Sequence, residues 1–382
     1  MIVAIPTEIA SGERRVAIVP SAVESLGKLG ATVRVQAGAG AAAGFPDGEY
    51  RDAGAEIVDD AATLLGQADI VLKLQPPRER EGGGHEVDDL RKGAALISFL
   101  RPLDEPELAA RLAKQRVNAF SMELMPRITR AQSMDALSSQ STIAGYRAVL
   151  LAATALPRIF PMLVTAAGTL KPARLLVIGA GVAGLQALGT AKRLGAVTFA
   201  YDTRPVVKEQ VESLGARFVE LALDAGDAQD AGGYAKAQTE EFYREQRRQL
   251  GEHVASCDVV ITTALVPGQP APLLIEEEAV RQMKPASVIV DLAAEKGGNC
   301  ACTEADRDVV AHGVTIIGHT NLPAEVPAHA SQMYAKNLLT FLDHLIDEGS
   351  LVIDREDEIT AGTLVTTEGE IVNETIRQRL AC

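Results

Sequence analysis

The chain has 382 residues, 47% of them apolar and 23% charged, enough for two domains with ample cores. Acidic residues outnumber basic ones 51 to 37, and the net charge of −14 argues against nucleic acid as a partner and against a polybasic membrane anchor. The four cysteines, Cys257, Cys300, Cys302 and Cys382, lack zinc-site spacing, so no metal is expected and they read as thiols in a reducing cytoplasm.

Met1–Ile5 reads as a strand and not as a signal peptide, since it has no basic segment and no cleavage motif. Strands follow at Thr32–Gln36, Ile70–Leu74, Ala94–Ser98 and Asn118–Ser121, with helices at Pro20–Gly30, Ala61–Gly66 and Glu105–Gln115 between them. This alternation predicts a parallel sheet with crossover helices. A polar segment, Pro126–Ser141, leads into a helical stretch from Thr142 to Ile159 with Ser141 or Thr142 as N-cap. The apolar stretch 148–170 is broken by Pro157, Arg158 and Pro161, so no membrane span is expected and the chain reads as cytoplasmic.

From Pro172 to about Pro323 a second α/β unit is expected. Its strands are Arg174–Ile178, Thr198–Tyr201, Arg217–Glu220, Val259–Thr262, Ser287–Asp291 and Thr315–Gly318. Ala328–Ile346 reads as another helix. The tail carries β-like Leu351–Ile353, Thr363–Thr367 and Glu370–Val372, with Glu368-Gly369 as a turn. The expected fold is α/β, with two Rossmann-like doubly wound domains joined by long helices. The first is discontinuous (1–137 plus 328–382) and the second spans 138–327.

The strongest local signal is Leu175 to Gly184, an apolar strand running into Gly179-x-Gly181-x-x-Gly184. A helical pattern follows, Leu185–Leu194, and a second strand ends at Asp202, eighteen residues after Gly184. This is the dinucleotide fingerprint in its strand–helix–strand context. Gly179 permits the tight turn, Gly181 lets the backbone approach a pyrophosphate, and Gly184 lets helix and strand pack closely. With Val182 and Ala183 these residues open the helix whose free N–H groups face the phosphates. Asp202 accepts from both adenosine ribose hydroxyls and repels a 2′-phosphate, which favours NAD(H) over NADP(H). Thr203, Arg204 and Gln246 are expected beside the nucleotide.

Three further constellations stand out. Arg127 to Ser141 is dense in polar groups and holds no His, Cys or Lys. Its donors suit a pyrophosphate and a carboxamide, with Asp135 orienting Arg127 or Gln132 or accepting from the nicotinamide amide. It reads equally as a polar connecting loop with a helix cap. Asp224 to Gln249 begins without apolar periodicity and contains Gly232-Gly233-Tyr234, either a lid on the nucleotide or a solvated loop running into a charged helix. Thr262 to Gly268 follows a strand, which puts Ala264 and Leu265 at the cofactor crevice. Arg15 and Lys73, near strand ends in the first domain, mark either an anion site or ion-paired residues.

These residues resemble the alanine dehydrogenase / nicotinamide nucleotide transhydrogenase family. The resemblance rests on Met122 to Asp135 (MELMPRITRAQSMD), Leu137 to Ser141 (LSSQS), Gly179 to Leu185, Gly232 to Ala235 and Gly297 to Cys300, and covers essentially the whole chain. Within the family it is most similar to the NAD(H)-binding component of proton-translocating transhydrogenase, not the Si-specific type. The resemblance implies that Arg127, Gln132, Ser133, Met134, Asp135 and Ser138 form the nicotinamide-side loop. It implies that Gly232, Gly233 and Tyr234 close on bound nucleotide, and it makes Arg127, Gln132, Asp135, Ser138 and Tyr234 the residues nearest the chemistry. It further implies a homodimer, NADP(H) carried by a separate component, and a membrane proton-channel component that holds the chain at the cytoplasmic membrane. Alanine dehydrogenases use an Arg and a Lys, matched by Arg15 and Lys73, and a His whose place is taken here by Arg101. A later family Asp aligns with Glu295. The rival expectations are an alanine dehydrogenase-like oxidoreductase and a non-enzymatic NAD-binding sensor or scaffold.

Overall fold

A computed structural model describes residues 1–222, 239–266 and 268–381. The chain folds as two compact units, Met1–Gln140 with Pro323–Cys382, and Ser141–Leu322.

The first unit is built on an eight-stranded sheet. Six parallel strands lie in the order Glu56–Val58, Thr32–Gln36, Ile2–Ile5, Ile70–Leu72, Ala95–Ser98, Asn118–Ser121. Numbered along the chain, this is the doubly wound order 3-2-1-4-5-6. Leu364–Thr367 then pairs antiparallel with Asn118–Ser121, and Glu370–Ile371 closes the edge. Both central residues of the turn between these last strands, Glu368 and Gly369, have positive φ (54° and 90°), as a tight hairpin requires. Ile70–Leu72 and Ala95–Ser98 are buried at every position, because crossover helices cover both faces. The strand Glu56–Val58 is missing from the sequence reading. It is three residues long and only half-buried, too short to show a period. Helix Pro327–Leu345 packs Tyr334, Leu338, Phe341 and Leu342 into this core, and its Tyr334 hydroxyl donates to the Lys73 carbonyl at 2.8 Å.

The second unit holds a seven-stranded sheet in the order Arg217–Phe218, Val197–Tyr201, Arg174–Ile178, Val259–Thr262, Val288–Asp291, Val314–Ile317, Asp308–Ala311. All neighbours are parallel except the last pair. Alternate residues of the central strands feed opposite cores. Val259 and Ile261 join Val177 and Ala187 on one face, while Val260 joins Leu176, Ile178 and Leu250 on the other. Strand order reverses between Arg174–Ile178 and Val259–Thr262, which opens a crevice at their carboxyl ends. The edge strand Asp308–Ala311 is absent from the sequence reading. It buries little, with Val310 72% exposed, so it carries no apolar signal.

The long helix runs Ala136–Ala155, six residues earlier than the expected start at Thr142. The reason is its cap. Asp135, not Ser141 or Thr142, stands at the N-terminus, and its carboxylate accepts from the Ser138 amide at 2.9 Å and the Ser138 hydroxyl at 2.5 Å. Beyond the helix a two-stranded hairpin, Leu163–Thr165 with Gly168–Leu170, pairs only with itself and is exposed throughout.

Packing of this long helix depends on a glycine that the sequence reading passed over. A Cβ at Gly145 would sit 2.1 Å from the Ala183 carbonyl oxygen, so the backbone of helix Val182–Arg193 lies directly against it. Overpacking of this kind costs about 1–3 kcal/mol or more. Gly145→Ala is therefore expected to lower the melting temperature by several degrees. An unchanged melting curve by circular dichroism would refute the close contact.

Candidate functional site

At the crevice of the second unit, strand Arg174–Ile178 ends in Gly179, whose φ of 98° L side chains rarely adopt. Its amide donates to the Tyr201 carbonyl at 2.8 Å, and its carbonyl accepts from the Thr263 hydroxyl at 2.8 Å. A side chain there would meet Thr263 Oγ1 at 2.6 Å. Gly184 is as constrained, since its Cβ would lie 1.9 Å from the Gly179 carbonyl oxygen. Gly181 differs from both. It caps helix Val182–Arg193 without a side chain, and a Cβ added to it would meet nothing within 4 Å. The first intrahelical donor is Leu185, to the Gly181 carbonyl at 2.8 Å. The amides of Val182, Ala183 and Gly184 precede it and have no acceptor in their own helix. That end of the helix is electropositive.

Asp202 ends the neighbouring strand and is 9% exposed. Its carboxylate accepts from the Ala180 amide, the Arg204 amide and two guanidinium nitrogens of Arg204, all at 2.8–2.9 Å. It therefore ties the glycine turn to the following strand end. Thr203 between them is half-buried. Gln246, 1% exposed on helix Glu240–Ser256, donates to the Tyr201 hydroxyl at 2.9 Å. Burial is the main reason that the Tyr201 phenol is pushed up to about 12. Gly232, Gly233 and Tyr234 lie outside the described residues.

Ala264 and Leu265 follow strand Val259–Thr262, Leu265 with 42% of its surface exposed. What holds this loop was not read from the sequence. Asn299, fully buried, accepts from the Ala264 amide at 3.0 Å and donates to the Ala264 and Pro272 carbonyls at 2.9 and 2.8 Å. Asn299 is held in turn by Asp291, a fully buried carboxylate that accepts from the Asn299 and Cys300 amides and the hydroxyls of Thr262 and Thr303. The signal was present: polar Asp291 ends an otherwise apolar strand, and Gly297-Gly298-Asn299 follows. Cys257 and Cys300 are buried free thiols, and burial pushes the Cys300 thiol up to about 12.

The loop Arg127 to Ser138 belongs to the first unit. Thr129–Met134 forms a 3-10 helix that leaves Arg127, Gln132 and Ser133 exposed and buries Met134 in the core. The Ser133 carbonyl accepts from Asn337 Nδ2 at 2.8 Å, which fixes the loop to helix Pro327–Leu345. Asp135 and Ser138 are brought together by the helix cap described above. Gln140, on the same helix, accepts from Arg15 Nη1 at 2.8 Å and donates to the Ala330 carbonyl at 3.0 Å.

The candidate cations of this unit are ion-paired. Lys73 Nζ lies 2.9 Å from Glu86 and 3.3 Å from Glu8, all three side chains nearly inaccessible. Arg15 meets Glu13 at 2.6 Å, and Gln75 donates to the same carboxylate at 2.7 Å. Burial pushes the Glu13 carboxyl up, but Arg15 and Gln75 outweigh it and hold it at about 2. Arg101 has a φ of 52°, and its amide donates to buried Glu123 at 2.5 Å. Burial raises the Glu123 carboxyl above its ordinary range. Among the described residues no group of three or more His, Cys, Asp or Glu could hold a metal ion, and no helix is long and apolar enough to cross a membrane.

The alanine dehydrogenase/PNT N-terminal domain family matches residues 4–144, and its C-terminal domain family matches residues 148–374. The chain belongs to the alanine dehydrogenase/PNT family. It is 52% identical to the first of the separate NAD(P) transhydrogenase alpha-subunit chains of Rhodospirillum rubrum, over 98% of each chain. The solved transhydrogenase of Sinorhizobium meliloti shares 44% identity and a TM-score of 0.86, covering 97% of this chain and 100% of that one. A solved L-alanine dehydrogenase shares 26% identity and a TM-score of 0.82, covering 100% and 99%. The α/β fold and the family resemblance read from the sequence are thereby borne out.

Loss of the Asn299 side chain leaves the Ala264 amide and carbonyl without their partners, and an unsatisfied buried group costs about 1–3 kcal/mol. Asn299→Ala is expected to raise hydrogen exchange at the Ala264 amide by at least tenfold. Unaltered exchange there would show that the loop is held by something else.

Proposed function

We propose that this chain is the NAD(H)-binding component of a proton-translocating transhydrogenase. It delivers hydride from NADH to NADP⁺ held on a separate component, coupled to proton movement across the membrane. The observation that carries the nucleotide reading is the contrast among the three glycines. Gly179 and Gly184 are required by their own neighbours, whereas nothing in the protein fills the space before Gly181. That space adjoins a helix N-terminus, which suits a pyrophosphate. Asp202 at the adjoining strand end suits a ribose diol. The residues present thus fit NAD(H).

When bound, NADH supplies the hydride. The chain's own residues bind and orient. The amides of Val182, Ala183 and Gly184 hold the pyrophosphate, Asp202 with Thr203 and Arg204 holds the adenosine ribose, and Ala264 and Leu265 line the crevice beside Gln246. Arg127, Gln132, Ser133, Met134, Asp135 and Ser138 serve the nicotinamide side, and Gly232 to Tyr234 close over it. These last assignments rest on the family likeness. Direct transfer between two nicotinamides needs no side-chain proton, so the task is to position the rings and exclude water. Positioning of this kind contributes about 7–11 kcal/mol.

Arg101 supports this reading over an amino-acid dehydrogenase. It stands where alanine dehydrogenases carry the His that exchanges the proton of an oxidised amine. Arg15 and Lys73 are moreover already partnered by carboxylates. The partners proposed are an NADP(H)-binding component, a membrane proton-channel component that keeps the chain peripheral on the cytoplasmic side, and a second copy of the chain. The hairpin Leu163–Thr165/Gly168–Leu170 suits the second copy. Met162, Val164 and Leu170 are 60%, 74% and 54% exposed on a two-stranded ribbon that is marginal alone.

Purified chain mixed with an NADP(H)-binding component is expected to exchange hydride between NADH and an NADP analogue. NADH binding without exchange would favour a sensor or scaffold, and NADH oxidation by pyruvate and ammonia with the chain alone would favour the dehydrogenase. Val164→Asp is expected to shift the chain from dimer to monomer in sedimentation. A monomeric parent, or a variant that remains dimeric, would remove the hairpin from the interface.

A further inference from the structure

The Asp202 carboxylate is already full. A carboxylate offers about four lone-pair sites, and four donors converge on this one: the Ala180 amide and Arg204 Nη2 on Oδ2, and the Arg204 amide and Nε on Oδ1. Two of these donors are backbone and fixed by the glycine turn and the strand end. The other two belong to one guanidinium, paired in bidentate geometry, with side-chain exposures of 14% for Arg204 and 5% for Asp202. A ribose diol brings two donors of its own. It reaches the carboxylate only where the guanidinium gives way.

We propose that Asp202 and Arg204 form a selectivity pair, in which Arg204 is a 2′-phosphate receptor kept from that use by Asp202. This deepens the NAD(H) reading and rests on it. With a 2′-hydroxyl, the hydroxyls take over acceptor sites on Asp202 and the guanidinium moves aside. With a 2′-phosphate, there is no hydroxyl to donate, the ester's negative charge faces the carboxylate, and Arg204 remains on its closer anionic partner. The exclusion of NADP(H) thus comes from two sources. One is the charge of Asp202, and the other is its hold on the cation that would otherwise neutralise the phosphate. Arginine's planar fork suits either oxyanion, so the choice between them is set by which is present.

The pair makes a prediction that charge repulsion alone does not. Removal of the Asp202 charge both lifts the repulsion and releases Arg204. The test is titration of NADH and NADPH by calorimetry against the parent chain, Asp202→Asn and Asp202→Asn/Arg204→Ala. Asp202→Asn retains an amide oxygen for the Ala180 amide. Asp202→Ser repeats the measurement if that variant does not fold, as judged by its melting curve. Expected is a fall of at least tenfold in NADH affinity and a rise of at least tenfold in NADPH affinity on loss of the carboxylate. The NADPH gain should be abolished in the double variant. An NADPH gain that survives Arg204→Ala overturns the proposal and leaves repulsion as the whole cause. No NADPH gain in the single variant also overturns it. If the parent binds no NADH, the proposed function itself fails, which is a separate outcome.

Discussion

Backbone lies on backbone at the centre of the second unit, and the nucleotide crevice depends on it. Gly184 brings helix Val182–Arg193 against the carbonyl of Gly179, and Gly145 brings the long helix against the carbonyl of Ala183. Both contacts exclude any Cβ. The glycine turn is thereby clamped between a strand, its own helix and a second helix. The amides at the helix start then point into open space with little freedom to reorganise, which is the condition for fixed dipoles to hold an anion well. The Thr263 hydroxyl on the Gly179 carbonyl and the Asp202 carboxylate on the Ala180 amide complete the clamp from the two flanking strand ends.

The first unit repeats the doubly wound order but fills its strand ends with charge. Lys73 between Glu8 and Glu86, and Arg15 on Glu13, form a nearly dry network at the reversal between Ile2–Ile5 and Ile70–Leu72. Such pairs are retained at a desolvation cost and tolerate loss of one partner poorly. One doubly wound unit therefore keeps its crevice open and electropositive at a helix start, while the other closes its equivalent crevice with its own side chains.

Much of this was legible in the sequence, for reasons that differ by element. The strands Thr32–Gln36, Asn118–Ser121, Arg174–Ile178 and Val259–Thr262 fall where their apolar runs are, because a strand buried on both faces must be apolar throughout. Asp308–Ala311 and the hairpin at 163–170 were missed because they bury little. The start of the long helix was misplaced because Asp135 was read for its chemistry and not as a cap. Around the crevice, the glycines and Asp202 announce themselves by spacing. Asn299 does not, since its role is to hold a backbone group brought near only by the fold. The same holds for Arg204, whose fork on Asp202 follows from side-chain geometry that spacing does not encode.

The eight-stranded sheet has a consequence for how the chain is made. Thr366 hydrogen-bonds to the Val117 carbonyl across 249 residues of sequence, and the strand it belongs to completes the first unit. Residues 141–322 emerge from the ribosome, contiguous and complete, before that strand exists. The second unit is therefore free to fold during synthesis, whereas the first waits for residues 364–367 with the flank of its strand Asn118–Ser121 unpaired. A nascent chain stalled before residue 364 would carry a finished nucleotide crevice beside an open sheet edge, the kind of surface that chaperones and aggregation compete for.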